Sequence, residues 1–218
     1  MDFSLKYPKV RGFTFIELLV SLAIMGLMMT ILLYRYPDTV VRLSLANVSH
    51  TTSLLIREAQ VRGSAIDSVN SSLGGYGVRA SLATPSKLTL FGDLIDINVP
   101  KPYGVYIGDG LYETSPIDET KSETRFPTGY SFSKLCVIPT GQTTFVCNSN
   151  YSPSIQTLTV SFVRPNPQPY IYINDSKVTN FTAGCIELIS YKAPLVGHVR
   201  SVQVFNSGMI RTYTSGCN

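Results

Sequence analysis

The chain has 218 residues, of which 44% are hydrophobic and only 15% charged, with a net charge of +4. Three of the basic residues, Lys6, Lys9 and Arg11, stand against Asp2 in the first 12 positions; residues 13–218 hold 15 basic and 13 acidic residues, a net charge of +2. The whole-chain pI of 8.8 is therefore no argument for a nucleic-acid partner. Low charge with abundant Ser, Thr, Tyr and Asn suits an extracytoplasmic β domain better than a cytosolic enzyme, and the length suffices for one long helix plus one globular domain.

After the basic segment 1–12 comes an apolar run, Phe13 to Tyr34, whose 22 residues hold a single charge, Glu17. As a helix it spans about 33 Å, enough to cross a hydrocarbon core of ~30 Å. Positive charge ahead of the span keeps that end cytoplasmic and puts the remainder on the other side. The run exceeds the roughly 7–15 apolar residues of a cleavable signal peptide, and no small-residue cleavage site follows Tyr34. A carboxylate one turn inside such a helix is costly and marks a partner or a function.

Gly12-Phe13-Thr14-Phe15-Ile16-Glu17-Leu18-Leu19-Val20 resembles the class III leader of type IV pilins and type II secretion pseudopilins. The resemblance implies that a membrane prepilin peptidase and methylase cuts between Gly12 and Phe13 and methylates the new Phe13 amine. It further implies that Glu17 neutralises the terminal amine of a neighbouring subunit during filament assembly. That would give the buried carboxylate the partner its burial demands.

Residues 35–66 read as the amphipathic continuation of the helix. Tyr34, Arg35 and Tyr36 suit the outer membrane interface. Pro37 is expected to kink or end the first helical segment, with Asp38 as N-cap of the next and Gly63 as its stop. Val41, Leu45, Val48, Thr52, Leu55 and Ala59 recur at helical spacing and form one core-facing stripe.

Residues 67–218 read as an extracytoplasmic β domain. Ser64–Gly75 is expected to be a loop with a turn at Gly74-Gly75. Strands are expected at Tyr76–Leu82, Lys87–Phe91, Tyr103–Ile107, Tyr130–Ile138, Ile155–Val163, Tyr170–Ile173, Ala183–Tyr191, Val199–Phe205 and Met209–Tyr213. In Ile155–Val163, Leu158, Val160 and Phe162 alternate with Thr159, Ser161 and Val163, a half-buried pattern. The three prolines of Arg164–Pro169 require a linker or turn, and Asn206-Ser207-Gly208 should close the last hairpin.

Gly108–Phe126, rich in Asp and Glu, reads as an exposed acidic loop. Asp93, Asp96, Asp109, Asp118 and Glu119 offer oxygen ligands for calcium, but EF-hand spacing is absent and the solvated loop is the preferred reading. Major pseudopilins carry a calcium loop near the C-terminus, where this chain has no comparable acidic cluster.

The four cysteines, Cys136, Cys147, Cys185 and Cys217, all follow the span, and an even count there favours disulfides. Zinc is disfavoured, since no C-x-x-C occurs and the only histidines are His50 and His198. Of three possible pairings, Cys136–Cys147, around Pro139-Thr140-Gly141, with Cys185–Cys217, pinning the tail, is preferred.

Leu54–Gln60, Leu158–Pro165, Gly197–Arg200 and Ser207–Arg211 together resemble the H-type minor pseudopilins. The expected fold is α+β, a long N-terminal helix whose first half spans the membrane and whose second half packs on antiparallel sheet. No Ser/His/Asp set, G-x-S-x-G or phosphate-binding loop is identifiable, and Cys185 with His198 is a weak thiol pair. No catalytic residue, cofactor or metal is expected. The chain reads as a structural subunit of a type II secretion or type IV pilus filament, and as a peptidase's substrate. The implied partners are prepilin peptidase, other pilin or pseudopilin subunits, the inner-membrane assembly platform and the lipid bilayer. Lys192, Arg200 and Arg211 are too few to argue strongly for DNA uptake. A membrane-anchored surface domain outside any filament is the other alternative.

Overall fold

The computed structural model describes residues 12–65, 73–94, 109–114, 118–148, 150–163, 168–176 and 181–217. The chain divides into two compact units, residues 1–40 and 41–218, each described by itself. The expected strand Tyr103–Ile107, the ligand candidate Asp96, the prolines at 165 and 167 and the leader before Gly12 lie outside the described residues.

A single helix, α1, runs from Phe15 to Ser64. In the first unit its residues are exposed up to Pro37. The expected end of a helical segment at Pro37 is not found: the helix continues through it, and Asp38 lies inside the helix and not at its start. A proline removes one backbone donor, and in the same turn the Thr39 hydroxyl donates to the Arg35 carbonyl at 3.3 Å. The helix is continuous on both sides of the proline.

In the second unit the expected stripe is buried: Val41, Leu45, Val48, Thr52, Leu55 and Ala59, joined by Ser49, Ile56 and Gly63. The buried serine and threonine hydroxyls bond within the helix, Ser49 to the Ala46 carbonyl at 2.8 Å and Thr52 to the Val48 carbonyl at 2.9 Å. They therefore fit an apolar face without orphaned donors.

The strands are β1 (Leu73–Ser81), β2 (Lys87–Leu94), β3 (Thr120–Arg125), β4 (Tyr130–Pro139), β5 (Val146–Cys147), β6 (Thr157–Val163), β7 (Tyr170–Ile173), β8 (Phe181–Ser190), β9 (Val199–Phe205) and β10 (Ile210–Tyr213). They form two antiparallel sheets, ordered β3-β2-β1-β6-β7 and β10-β9-β8-β4-β5. Apolar residues of both sheets and of the helix stripe share one core, in which Ile56, Leu88, Leu135, Phe162 and Leu188 are fully buried. This is the expected α+β arrangement, with two sheets. Gly74-Gly75 belongs to β1, where a turn was expected.

Two further expectations are corrected. Thr120–Arg125, read as part of an exposed loop, is an edge strand on β2. Its sequence offers no apolar residue, which is how natural edge strands avoid pairing with other chains. Lys87 on β2 forms an ion pair with Glu123 across the pair. In addition, all seven residues of β6 are buried, not half of them. The face bearing Thr157, Thr159 and Ser161 is covered near Ser161 by the segment 109–113. Gly110 lies there with φ +77, and a Cβ on it would meet Ser161 Oγ and Tyr172 Oη at 2.7 Å.

Candidate processing and assembly site

Gly12, Phe13 and Thr14 precede α1 and are exposed. An irregular, accessible peptide immediately before a helix can enter a peptidase cleft in extended form. Thr14 is the N-cap of α1 and Glu17 stands three residues on, which makes a capping box. Glu17 Oε2 accepts the Thr14 backbone N–H and the Thr14 hydroxyl, each at 3.0 Å, and the Glu17 N–H donates to Thr14 Oγ at 3.3 Å. The carboxylate is thus bound to its own helix start, where the positive end of the helix dipole favours negative charge.

Phe13, Ile16, Val20, Ser21 and Ile24 flank Glu17 on one exposed helix face. Among the described residues, α1 is the one helix long and apolar enough to cross a membrane. A carboxylate with an apolar surround on an exposed face is suited to meeting a cation carried by another apolar helix. The capping box escaped the sequence reading, although Thr14-x-x-Glu17 is its plain signature.

The acidic residues of the β domain do other work. Asp93 Oδ2 accepts the Gly110 N–H at 3.0 Å, 17 residues away. Glu119 accepts the Leu94 N–H at 2.7 Å and the Glu113 N–H at 2.8 Å. Asp109 accepts the Leu111 N–H, and Asp118 the Thr120 N–H, each at 2.9 Å. Asp93 and Glu119 thereby tie Gly110 and Glu113 to the end of β2, while the Asp109 and Asp118 bonds are local. Among the described residues no group of three could hold a metal ion; of the calcium candidates, Asp93, Asp109, Asp118 and Glu119 are backbone acceptors. Burial pushes the Asp93 carboxyl up to about 8, reinforced by Asp109 and Glu119. Burial also raises Glu119, whereas the Thr120 N–H lowers Asp118.

Disulfides join Cys136 to Cys147 and Cys185 to Cys217. With its sulfur oxidised, Cys185 offers no thiol to His198. Among the basic candidates, the Lys192 ammonium lies 5.4 Å from the Tyr130 ring centre, and Arg211 donates to the Tyr213 hydroxyl at 3.4 Å. Arg200 lines a small cavity of about 110 Å³ with Arg42, His198 and Thr214.

Residues 7–33 match the family described as the prokaryotic N-terminal methylation motif. No curated protein and no solved structure matches the chain.

Proposed function

We propose that this chain, which carries at residues 7–33 the prepilin signal of type IV pilins and pseudopilins, is a minor structural subunit of a filament of that superfamily. It is cut between Gly12 and Phe13 by prepilin peptidase, and the Phe13 amine is then methylated. Before assembly it sits in the cytoplasmic membrane with residues 1–12 on the cytoplasmic side and the β domain outside. The single observation that carries the reading is the methylation motif. Its support is the helix beneath it, exposed and apolar from Phe15 to Tyr34 with Glu17 as its lone charge.

Assembly replaces lipid around residues 13–34 with the same face of neighbouring subunits. Glu17 exchanges its capping-box contacts for the Phe13 amine of a neighbour. A new charge pair in an apolar surround is strongly coupled, whereas either charge alone there is costly. The softer likeness to H-type minor pseudopilins favours a secretion filament over a retractile pilus. DNA uptake through Lys192, Arg200 and Arg211 has no comparable support, since Lys192 and Arg211 already contact tyrosines.

The test is a pair of variants expressed with the chain's own secretion or pilus machinery. Gly12→Val should accumulate in the membrane as the uncut form. Glu17→Ala should be cut normally but fail to co-purify with the other pilin-like subunits. Normal co-purification of Glu17→Ala would remove the assembly role of the carboxylate.

A further inference from the structure

Cys136 has two cysteines opposite it. It lies on β4 between β5 and β8, and the register places Cys147 across from it on one side and Cys185 on the other. Directly opposed residues of antiparallel strands put their side chains on the same face. Cys147, Cys136 and Cys185 therefore form a row across three strands. Cys217 joins from the tail, and Phe145 packs against the cluster.

The hydrogen-bond pattern fixes the spacing within the row. The Asn148 N–H donates to the Leu135 carbonyl at 3.0 Å, the bond that flanks a pair whose own groups point away from each other. Cys136 and Cys147 are thus the non-hydrogen-bonded kind of pair, and the Cys136 backbone groups point toward Cys185. Pairs of that second kind have Cα atoms about 5.5 Å apart, inside the roughly 4.4–6.8 Å that a disulfide spans. By its Cα spacing a third bridge, Cys136–Cys185, is within reach once the strands draw slightly together, since the Cβ atoms of such a pair stand a little wider than a disulfide's usual spacing.

We propose that the two disulfides form a relay, in which a Cys136 thiolate exchanges with the Cys185–Cys217 bridge and releases the C-terminal tail. Cys136 and Cys185 are fully buried, while Cys147 is half-buried and is the point of entry. A dithiol reductant attacks Cys147 Sγ, the bond to Cys136 breaks, and Cys136 leaves as a thiolate. The reductant's second thiol displaces Cys147 as a thiol and departs as a cyclic disulfide, having delivered two electrons. The Cys136 thiolate then attacks Cys185 Sγ, Cys136–Cys185 forms, and Cys217 leaves as a thiolate that takes a proton from water. The product holds one disulfide and two thiols, at Cys147 and Cys217.

The consequence is specific to the tail. The bridge that closes a 32-residue separation opens, while a new bridge holds β4 to β8. Among the described residues, two hydrogen bonds then hold the tail beside the bridge: the Cys217 N–H on Glu187 Oε2 at 3.1 Å, and the Ser201 hydroxyl on the Gly216 carbonyl at 3.3 Å. The Glu187 carboxylate that accepts the Cys217 N–H also pairs with the Lys134 ammonium at 3.3 Å.

The test uses the full chain in detergent at mildly alkaline pH with less dithiothreitol than protein. Exchange is quenched with acid, free thiols are alkylated, and peptides are mapped by mass. The expected two-thiol species is labelled at Cys147 and Cys217 and contains a Cys136–Cys185 cross-linked peptide. Label confined to Cys136 with Cys147, or to Cys185 with Cys217, would overturn the relay. In Cys136→Ser/Cys147→Ser the same reductant should label Cys217 at least tenfold less. Equal labelling there would mean direct reduction and no relay. The wild-type map decides the question alone if that variant does not fold.

Discussion

Asp93→Asn should remove most of the pH dependence of the β domain's stability between pH 5 and 8. Asp93 is fully buried; Oδ2 accepts the Gly110 N–H, and Oδ1 has no hydrogen-bond partner among the described residues. Among the described residues, Asp109, Glu119 and the Tyr172 hydroxyl are the titratable groups that interact with it, and none is cationic. Burial raises its carboxyl from the ordinary 3.8 to about 8. The folded chain therefore keeps a proton that the unfolded chain gives up. The associated stability is complete below pH ~4, falls as pH rises, and is gone once pH passes ~8. Each pH unit across that gap is worth about 1.36 kcal/mol, so the full gap is an upper bound of roughly 6 kcal/mol. Even ~2 kcal/mol of this lowers Tm by roughly 4–8 °C for a domain of this size. Asparagine keeps an acceptor for Gly110 and cannot ionise. The assay is thermal unfolding of the full chain in mild detergent, followed by near-UV circular dichroism at pH 5 and pH 8. Wild type should lose several degrees between the two, and Asp93→Asn should lose much less. The raised Glu119 leaves a residual slope of the same sign. A wild-type Tm that does not fall by pH 8, or a variant that falls equally, would refute the assignment of that proton to Asp93.

Three further outcomes follow from packing. Ile56→Ala opens a cavity beneath a fully buried side chain and should cost about 2–5 kcal/mol in denaturant unfolding. Gly63→Ala brings a Cβ to 2.5 Å from the Phe162 carbonyl oxygen, so β6 or the helix must shift; its unfolding midpoint should drop clearly. Gly26→Ala has nothing within 4 Å and lies in the first unit, so it should leave that midpoint unchanged.

The helix stripe was legible because burial at a 3.6-residue period leaves its mark on sequence. Val41 to Ala59 needed no knowledge of what covers them. β6 and β8 were legible from their β-branched and aromatic content. β3 was not, because Lys121, Glu123 and Arg125 contribute no apolar signal and the strand exists through its pairing with β2. Pro37 misled for the opposite reason. It is a strong local signal for a helix end, yet α1 runs through it. The Asp93–Gly110 and Glu119–Leu94 contacts join residues 17 and 25 apart, and no spacing rule anticipates them. In the candidate processing site, Gly12, Phe13 and Glu17 stood out as a leader pattern and an isolated charge. Thr14 did not, because a hydroxyl in an apolar run draws less notice than a carboxylate.

The mass of the mature chain, isolated from cells that make prepilin peptidase, tests the central claim most directly. The expected N-terminal peptide begins at Phe13 and is heavier by one methyl group than the unmodified sequence. A chain that still begins at Met1, or is cut anywhere other than after Gly12, would contradict it.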